Sequence, residues 1–193
     1  MVLFYKTIKR IYVYFLFTYM NDSIFISIGW NCDPRIFMKW NLNLSKEDGY
    51  KSCPFDLCIT SYDSLCKTLE NNFDTFFDGL QIISWDNADG DRSNAGPGLS
   101  CIKNQDGIIF NHEGSGHSHM FLENKDDDEF YTRNNFQEFK KRYSQRIENF
   151  KNYCNNATNI TFVYSHIENI NTSVIENHIK HFYGSKVISF MHI

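Results

Sequence analysis

The feature that most constrains this chain is a short apolar run that ends in a glycine and is followed by a cysteine and a proline. Residues 24–26 are β-branched or aromatic, which predicts a buried strand. Gly29 gives the backbone freedom at the strand's end. Asp33 and Pro34 predict a helix start, since Asp can cap and Pro is tolerated in the first turn. Cys32 is therefore expected at a helix N-terminus, where unpaired N–H groups and the helix dipole favour a nucleophilic thiolate.

Strand-like and helix-like patterns alternate along the rest of the chain. The predicted elements are a helix opening near Ser61, a hairpin of residues 99–102 and 108–110, a helix from Asn135, a strand over 160–164, a helix over 173–183 and a strand over 186–190. This order favours an α/β domain with a partly parallel central sheet, flanking helices and an antiparallel hairpin insertion.

The length of 193 residues, 42% of them hydrophobic, suits one globular domain with a sizeable core. We predict that this domain spans residues 21–193. Residues 1–20 precede it as an extension that we expect to lie outside the fold. Its apolar part, residues 11–20, is shorter than the roughly 20 residues of a spanning helix, so no transmembrane segment is predicted. No small-residue cleavage site follows it, as a signal peptide would require.

Charge and cysteine usage narrow the class of partner and the compartment. The net charge of −4 offers no general attraction to nucleic acid, and no nucleic-acid partner is expected. Six cysteines occur without a C-x-x-C pair, which favours free thiols in a reducing, intracellular compartment. Gly29 stands alone where a dinucleotide-binding loop has G-x-G-x-x-G, so no cofactor is predicted.

The chemistry of a thiol hydrolase can be assigned to residues of this chain. It needs a nucleophile, a base, a group that orients the base, and donors for the developing oxyanion. Cys32 can be the nucleophile, His112 at a predicted strand end can be the base, and Asp56 can orient the imidazole. Asn31 and the backbone N–H groups beside it can donate to the oxyanion.

A second interpretation of the histidines is metal binding. His112, His117 and His119 have a spacing compatible with ligation, and Glu113 lies next to the first of them. The helical H-E-x-x-H register is absent, and the intervening glycines favour a loop. Metal binding therefore ranks below thiol catalysis.

Several motifs together resemble a family of unknown function named for a papain-like cysteine peptidase and found in bacteria and large DNA viruses. The first two, SIGWNC at 27–32 and SCPFD at 52–56, carry most of the resemblance. Similar features follow in the aromatic segment 72–77, in FNH at 110–112 and in the stretch 143–147. The resemblance spans residues 23 to 164.

The resemblance implies a Cys/His site formed by Cys32, His112 and Asp56, and a peptide or other small acyl substrate. A viral member would act in the host cytoplasm. The family usually has an aromatic residue after Pro-Phe-Asp, where this chain has Leu57. A papain-like α+β fold is the alternative architecture. In a true papain fold the nucleophile helix does not follow a parallel strand, so the name can describe the residues and not the fold.

Two other functions fit the same residues. One is a non-catalytic α/β binding or scaffold protein. The other is a transferase acting on a sugar or nucleotide, with a pocket lined by Asn31, Asp56 and Arg146 and no close Cys/His contact. Geometry separates them, because catalysis needs the thiol within about 4 Å of an imidazole nitrogen. Gly29, Asn31 and Arg146 are the candidate oxyanion or substrate-binding residues.

Overall fold

The protein has an α/β fold with one parallel and one antiparallel sheet. The computed structural model describes residues 23–84, 100–114, 129–132, 134–165 and 170–193. The predicted class, a partly parallel sheet with flanking helices and an antiparallel insertion, is confirmed. The extension predicted over residues 1–20 lies outside the described ranges, as do His117 and His119.

The parallel sheet consists of β1 (Ser23–Ser27), β5 (Asn159–Tyr164) and β6 (Val187–His192). Their order in the sheet is β1-β5-β6, and both neighbouring pairs are parallel. The central strand β5 is buried over its four middle residues, as its nearly continuous apolar sequence requires for a strand covered on both faces. The carboxyl ends of β1 and β5 therefore lie side by side.

Helices connect and cover these strands. The helix α1 (Asp33–Asn41) follows β1, and α2 (Tyr62–Glu70) comes next. The short α3 (Glu129–Thr132) precedes the long α4 (Gln137–Asn156), which leads into β5. The helix α5 (Thr172–Tyr183) connects β5 to β6.

The predicted helix starts are largely confirmed, with one difference in the capping side chain. Ser61 caps α2, and its side chain accepts a hydrogen bond from Ser64 N. At α4 the prediction placed the cap at Asn135. The side chain that accepts from the backbone N–H of Gln137 belongs instead to Asn134, at 3.2 Å. Asn135 itself has φ 55°, a left-handed conformation that Asn tolerates better than most residues.

The antiparallel sheet consists of β2 (Gln81–Ser84), β3 (Ser100–Lys103) and β4 (Ile109–Phe110) in that order. The predicted hairpin is confirmed as the β3–β4 pair. Its turn needs Gly107, which has φ +93° and donates its N–H to Asn104 O at 3.1 Å.

A cluster of aromatic side chains packs this sheet against α4. The ring of Phe110, at the end of β4, lies 4.8 Å from Phe139 and 4.8 Å from Tyr143, both on α4. Phe76 lies 5.6 Å from the same ring. All four side chains are almost completely buried. Edge-to-face contacts such as those of Phe110 stabilise aromatic pairs beyond simple area burial.

A short backbone link connects the two sheets near their functional ends. Ile59 exchanges two hydrogen bonds with Ile109 of β4, at 2.9 and 3.0 Å. The next residue, Thr60, donates its N–H to Trp30 O at 3.2 Å. One two-residue segment therefore binds both β4 and the turn that follows β1.

We expect Phe110→Ala to lower the free energy of unfolding by about 3–5 kcal/mol, because it leaves a cavity between β4 and α4. Urea denaturation measures the change. Phe182→Ala is the matched control, since Phe182 is 37% exposed and the loss there should stay near 0.5 kcal/mol. Equal losses at the two positions would contradict the role given to the cluster.

Candidate active site

The turn after β1 is built around a close approach of Gly29 and Pro34. A Cβ atom on Gly29 would collide with Pro34 Cγ and lie 2.9 Å from Pro34 Cδ. The requirement for glycine at this position is thus steric. The expectation that Gly29 supplies unusual backbone freedom is replaced by this packing constraint, since its φ is not in the left-handed region. The contact sets the path of the chain from β1 into α1.

The helix α1 begins directly after Cys32, which is its N-cap residue. Pro34 lies in the first turn, as predicted. Asp33 was expected to cap the helix, but Asn31 makes the hydrogen bonds: its Oδ1 accepts from Asp33 N and its Nδ2 donates to Asp33 Oδ2, both at 2.9 Å. Ser165, just after β5, donates to the same Oδ1 at 3.2 Å. Asn31 thereby ties the turn to the carboxyl edge of the parallel sheet.

The structure brings Cys32 and His112 together from two different sheets. Cys32 Sγ lies 3.1 Å from His112 Nε2. Asn111 Nδ2 donates to the same sulfur at 3.5 Å. Both partners follow β4, whereas Cys32 follows β1. The separation is well inside the 4 Å that thiol–imidazole proton transfer requires, and it is contrary to the transferase alternative, which predicted no close Cys/His contact.

Burial dominates the electrostatics of Cys32. It raises the pKa of the thiol above its ordinary value, and the carboxylate of Asp33 raises it further, whereas the hydrogen bond from Asn111 lowers it. The expectation of a lowered pKa at a helix N-terminus is therefore wrong. The positive end of the helix dipole favours the thiolate. Loss of solvent around the half-buried sulfur and the negative charge of Asp33, the first residue of the helix, favour the protonated thiol.

Asp56 is buried in a network of its own. Tyr50 donates its hydroxyl to Oδ1 at 3.1 Å, and Cys53 N donates to Oδ2 at 3.0 Å. Arg35 Nε lies 3.6 Å from Oδ2. These contacts fold the Pro-Phe-Asp segment against α1. Orientation of His112 by Asp56 stays a prediction, since none of these contacts joins the two residues.

A second carboxylate, Glu113, follows His112, and from the sequence it was named only beside the possible metal ligands. Glu113 is buried and accepts hydrogen bonds from Tyr131 at 2.9 Å and from Arg142 at 2.6 Å. Arg142 lies on α4 and forms an ion pair with Glu113 through this contact. The contact anchors the chain immediately after His112 to α3 and α4.

The remaining candidate, Arg146, lies on α4 with its guanidinium over the Tyr143 ring. It lines a cleft of about 320 Å³ together with Asp56 and residues of α1. Asn31 is not among the residues of this cleft, so the pocket predicted to contain Asn31, Asp56 and Arg146 together is formed by the last two.

Asn111, which donates to Cys32 Sγ, was not predicted as a site residue, because an amide beside a histidine gives no pattern in sequence. Its place directly after a predicted strand was the available signal.

Within the described residues, no group of three or more His, Cys, Asp and Glu side chains could hold a metal ion. Two of the three predicted ligands, His117 and His119, lie outside those residues. The helices that the structure describes include none that is long and apolar enough to span a membrane.

Comparison with known families agrees with this site. Residues 23–179 match the family model described as "Putative papain-like cysteine peptidase (DUF1796)". Because the match covers most of the chain, the protein belongs to this family. No curated protein and no solved structure matches the chain. The viral origin considered above finds no support in these comparisons.

We expect Gly29→Ala to lower the free energy of unfolding by about 1–3 kcal/mol, because the new methyl group overlaps the Pro34 ring. Urea denaturation of Gly29→Ala, Pro34→Ala and the double variant checks this expectation. Because Pro34→Ala removes most of the ring, Gly29→Ala should lower the free energy of unfolding by less in the Pro34→Ala background than in the parent. Additive losses in the double variant would show that the two residues do not constrain each other.

Asp56 should make stability depend on pH. Burial raises its pKa to about 6, despite the opposing effects of Cys53 N–H and Arg35. A carboxyl group whose pKa is higher in the folded than in the unfolded state stabilises the fold when the pH is below its unfolded-state pKa. This stabilisation is lost as the pH rises through the folded-state pKa of about 6. Between pH 4 and pH 7 the parent should therefore lose about 2 kcal/mol relative to Asp56→Asn.

Urea denaturation of both proteins at several pH values measures this difference. Asp74→Asn, which changes an exposed carboxylate, is the control. A difference between parent and Asp56→Asn that stays constant from pH 4 to pH 7 would contradict the raised pKa.

Proposed function

We propose that this protein is a thiol-dependent hydrolase of peptide or isopeptide bonds, with Cys32 as nucleophile and His112 as general base. The observation that carries the proposal is the 3.1 Å separation of Cys32 Sγ and His112 Nε2. Membership of a family described as cysteine peptidases supports the same reaction class. The reducing, intracellular compartment expected from the free cysteines keeps the thiol available.

The raised pKa of Cys32 determines how the proposed reaction begins. At neutral pH the sulfur holds its proton, so the thiolate must form as the substrate reacts. The proton passes to His112 Nε2 while the Sγ–carbon bond forms and the carbonyl oxygen takes the negative charge. Collapse of this intermediate breaks the carbon–nitrogen bond, and His112 returns the proton to the leaving amine. Water then cleaves the thioester by the same route, releasing the acid and the thiol.

Two donors near the sulfur suit the oxyanion of this reaction. The Nδ2 group of Asn111 lies 3.5 Å from Cys32 Sγ. The backbone N–H of Cys32 has no acceptor among the described residues. The donors predicted next to it are otherwise engaged, since Asn31 Nδ2 donates to Asp33 Oδ2 and the Asp33 N–H donates to Asn31 Oδ1. We therefore assign Asn31 and Gly29 to the shape of the turn, and Asn111 and Cys32 N–H to the oxyanion.

Asp56 has an indirect place in this proposal. Its bonds to Cys53 N and Arg35 hold the segment that leads to the Ile59–Thr60 link, which in turn contacts both halves of the site. Asp56 is then a positioning residue, and any effect on the imidazole of His112 passes through the backbone.

Acylation by p-nitrophenyl acetate tests the Cys32–His112 pair without knowledge of the natural substrate. We expect Cys32 to be acetylated faster than the half-buried Cys66, which is the internal reference within the same chain. His112→Ala should slow acetylation of Cys32 by about 100-fold at pH 7, because the general base is lost. Mass spectrometry of the peptides measures both rates.

The pH dependence provides a further check on the same variant. In His112→Ala the rate at Cys32 should climb as the pH rises toward 9 and above, because only ionisation of a thiol with a raised pKa then supplies the nucleophile. His181→Ala, at an exposed histidine on α5, should behave as the parent. Equal rates at Cys32 and Cys66 in the parent would favour the non-catalytic binding protein.

A further inference from the structure

A cleft with excess positive charge lies along α1, the helix that begins directly after Cys32. Its volume is about 320 Å³, and it lies between α1, the loop after α1, the Pro-Phe-Asp segment and α4. The charged residues that line it are Arg35, Lys39, Lys46, Arg146, Glu47 and Asp56. Four cations against two carboxylates leave two positive charges in a chain whose net charge is −4.

The neighbours of each charge show which cations are already paired. Arg35 is occupied, because it lies 3.6 Å from Asp56 Oδ2, donates to Leu44 O at 2.8 Å and lies over the Tyr50 ring. Arg146 differs. Its guanidinium lies 4.5 Å from the centre of the Tyr143 ring, and no carboxylate of the described residues is within ion-pair distance.

Glu113 and Asp56 favour the charged form of Arg146, although neither carboxylate is within ion-pair distance of its guanidinium. One turn earlier on α4, Arg142 has the paired arrangement, with Glu113 at 2.6 Å. The Arg146 guanidinium lies over the Tyr143 ring at the cleft, where its fork of N–H donors matches a carboxylate. The contrast between these two arginines indicates that the N–H donors of Arg146 are available to a carboxylate of a ligand.

The cleft is connected to Cys32 through the first turn of α1. Ile36, which lines the cleft, donates its backbone N–H to Cys32 O at 3.0 Å. Trp40, on the same helix and 70% exposed, adds an apolar surface at the cleft. A substrate whose scissile bond lies at Cys32 can therefore place a neighbouring side chain in the cleft.

We propose that this cleft binds a glutamate or aspartate side chain of the substrate through Arg146, so that the protein acts on acidic peptides. This inference rests on the proposed hydrolase function and specifies its substrate class. Arg146 is the specificity-determining residue. Lys46 contributes charge without fixed geometry, and Trp40 and Ile36 contact the apolar part of the substrate.

Binding to Cys32→Ala tests the cleft without any chemistry. The probes are two acetylated, amidated pentapeptides of alanine with either a glutamate or a glutamine at the centre, and intrinsic tryptophan fluorescence or calorimetry reports binding. We expect the glutamate peptide to bind about tenfold more tightly, as one charge-assisted hydrogen bond predicts. Arg146→Gln in the same background should abolish the preference, and Arg146→Lys should keep part of it.

Lys141→Gln is the matched control, because it makes the same change of charge on the exposed face of α4 and should leave the preference intact. Circular dichroism of Arg146→Gln verifies that the fold is retained. Equal affinity for the two peptides, failure of both to bind, or a preference that survives Arg146→Gln would overturn the proposal. If the glutamate peptide is preferred but p-nitrophenyl acetate does not acetylate Cys32 in the parent, the hydrolase proposal is wrong and the proposed specificity of the cleft stands. If Cys32 is acetylated but glutamate is not preferred, only the proposal for the cleft is wrong.

Discussion

The site depends on the backbone link formed by Ile59 and Thr60. Cys32 follows a parallel strand and His112 follows an antiparallel one, and neither sheet alone determines the distance between them. Ile59 pairs with Ile109, three residues before His112, and Thr60 bonds to Trp30, two residues before Cys32. Backbone hydrogen bonds on both sides of one peptide segment thus set a side-chain distance of 3.1 Å. If side-chain packing alone held the two sheets together, the distance between Cys32 Sγ and His112 Nε2 could change as side chains change rotamer.

The aromatic core gives this link its rigidity. Phe110 is held by Phe139 and Tyr143, so that the end of β4 cannot shift along α4 without opening a cavity. Two residues later the chain delivers His112, and Glu113 then binds Arg142 of the same helix. The base is therefore held between a hydrophobic anchor before it and an ion pair after it.

Much of this architecture follows from patterns that are local in sequence. The alternation of apolar runs, the Asp-Gly turn and the Ser61 cap predicted the elements and their types, because each depends on a few adjacent residues. Cys32 and His112 were predicted as a pair because each lies shortly after a predicted strand and because the family resemblance implies a Cys/His site. Their long-range partners were not predicted. The pairing of Arg142 with Glu113, that of Arg35 with Asp56 and the contact of Asn111 with Cys32 join residues far apart in the chain, and no spacing rule connects them.

The same limit explains why the predicted pKa of Cys32 had the wrong direction. A helix N-terminus is visible in sequence, and its dipole stabilises a thiolate by a modest amount that decreases with exposure to solvent ions. Burial is a property of the folded chain, and at Cys32 it is the main reason why the pKa of the thiol is raised. A thiol that keeps its proton requires a base at contact distance, which His112 provides. Because the pKa of Cys32 is raised, the proposed reaction depends on the short distance between Cys32 and His112. A preformed thiolate could react with its imidazole farther away, whereas a protonated thiol must transfer its proton to an imidazole in contact with it.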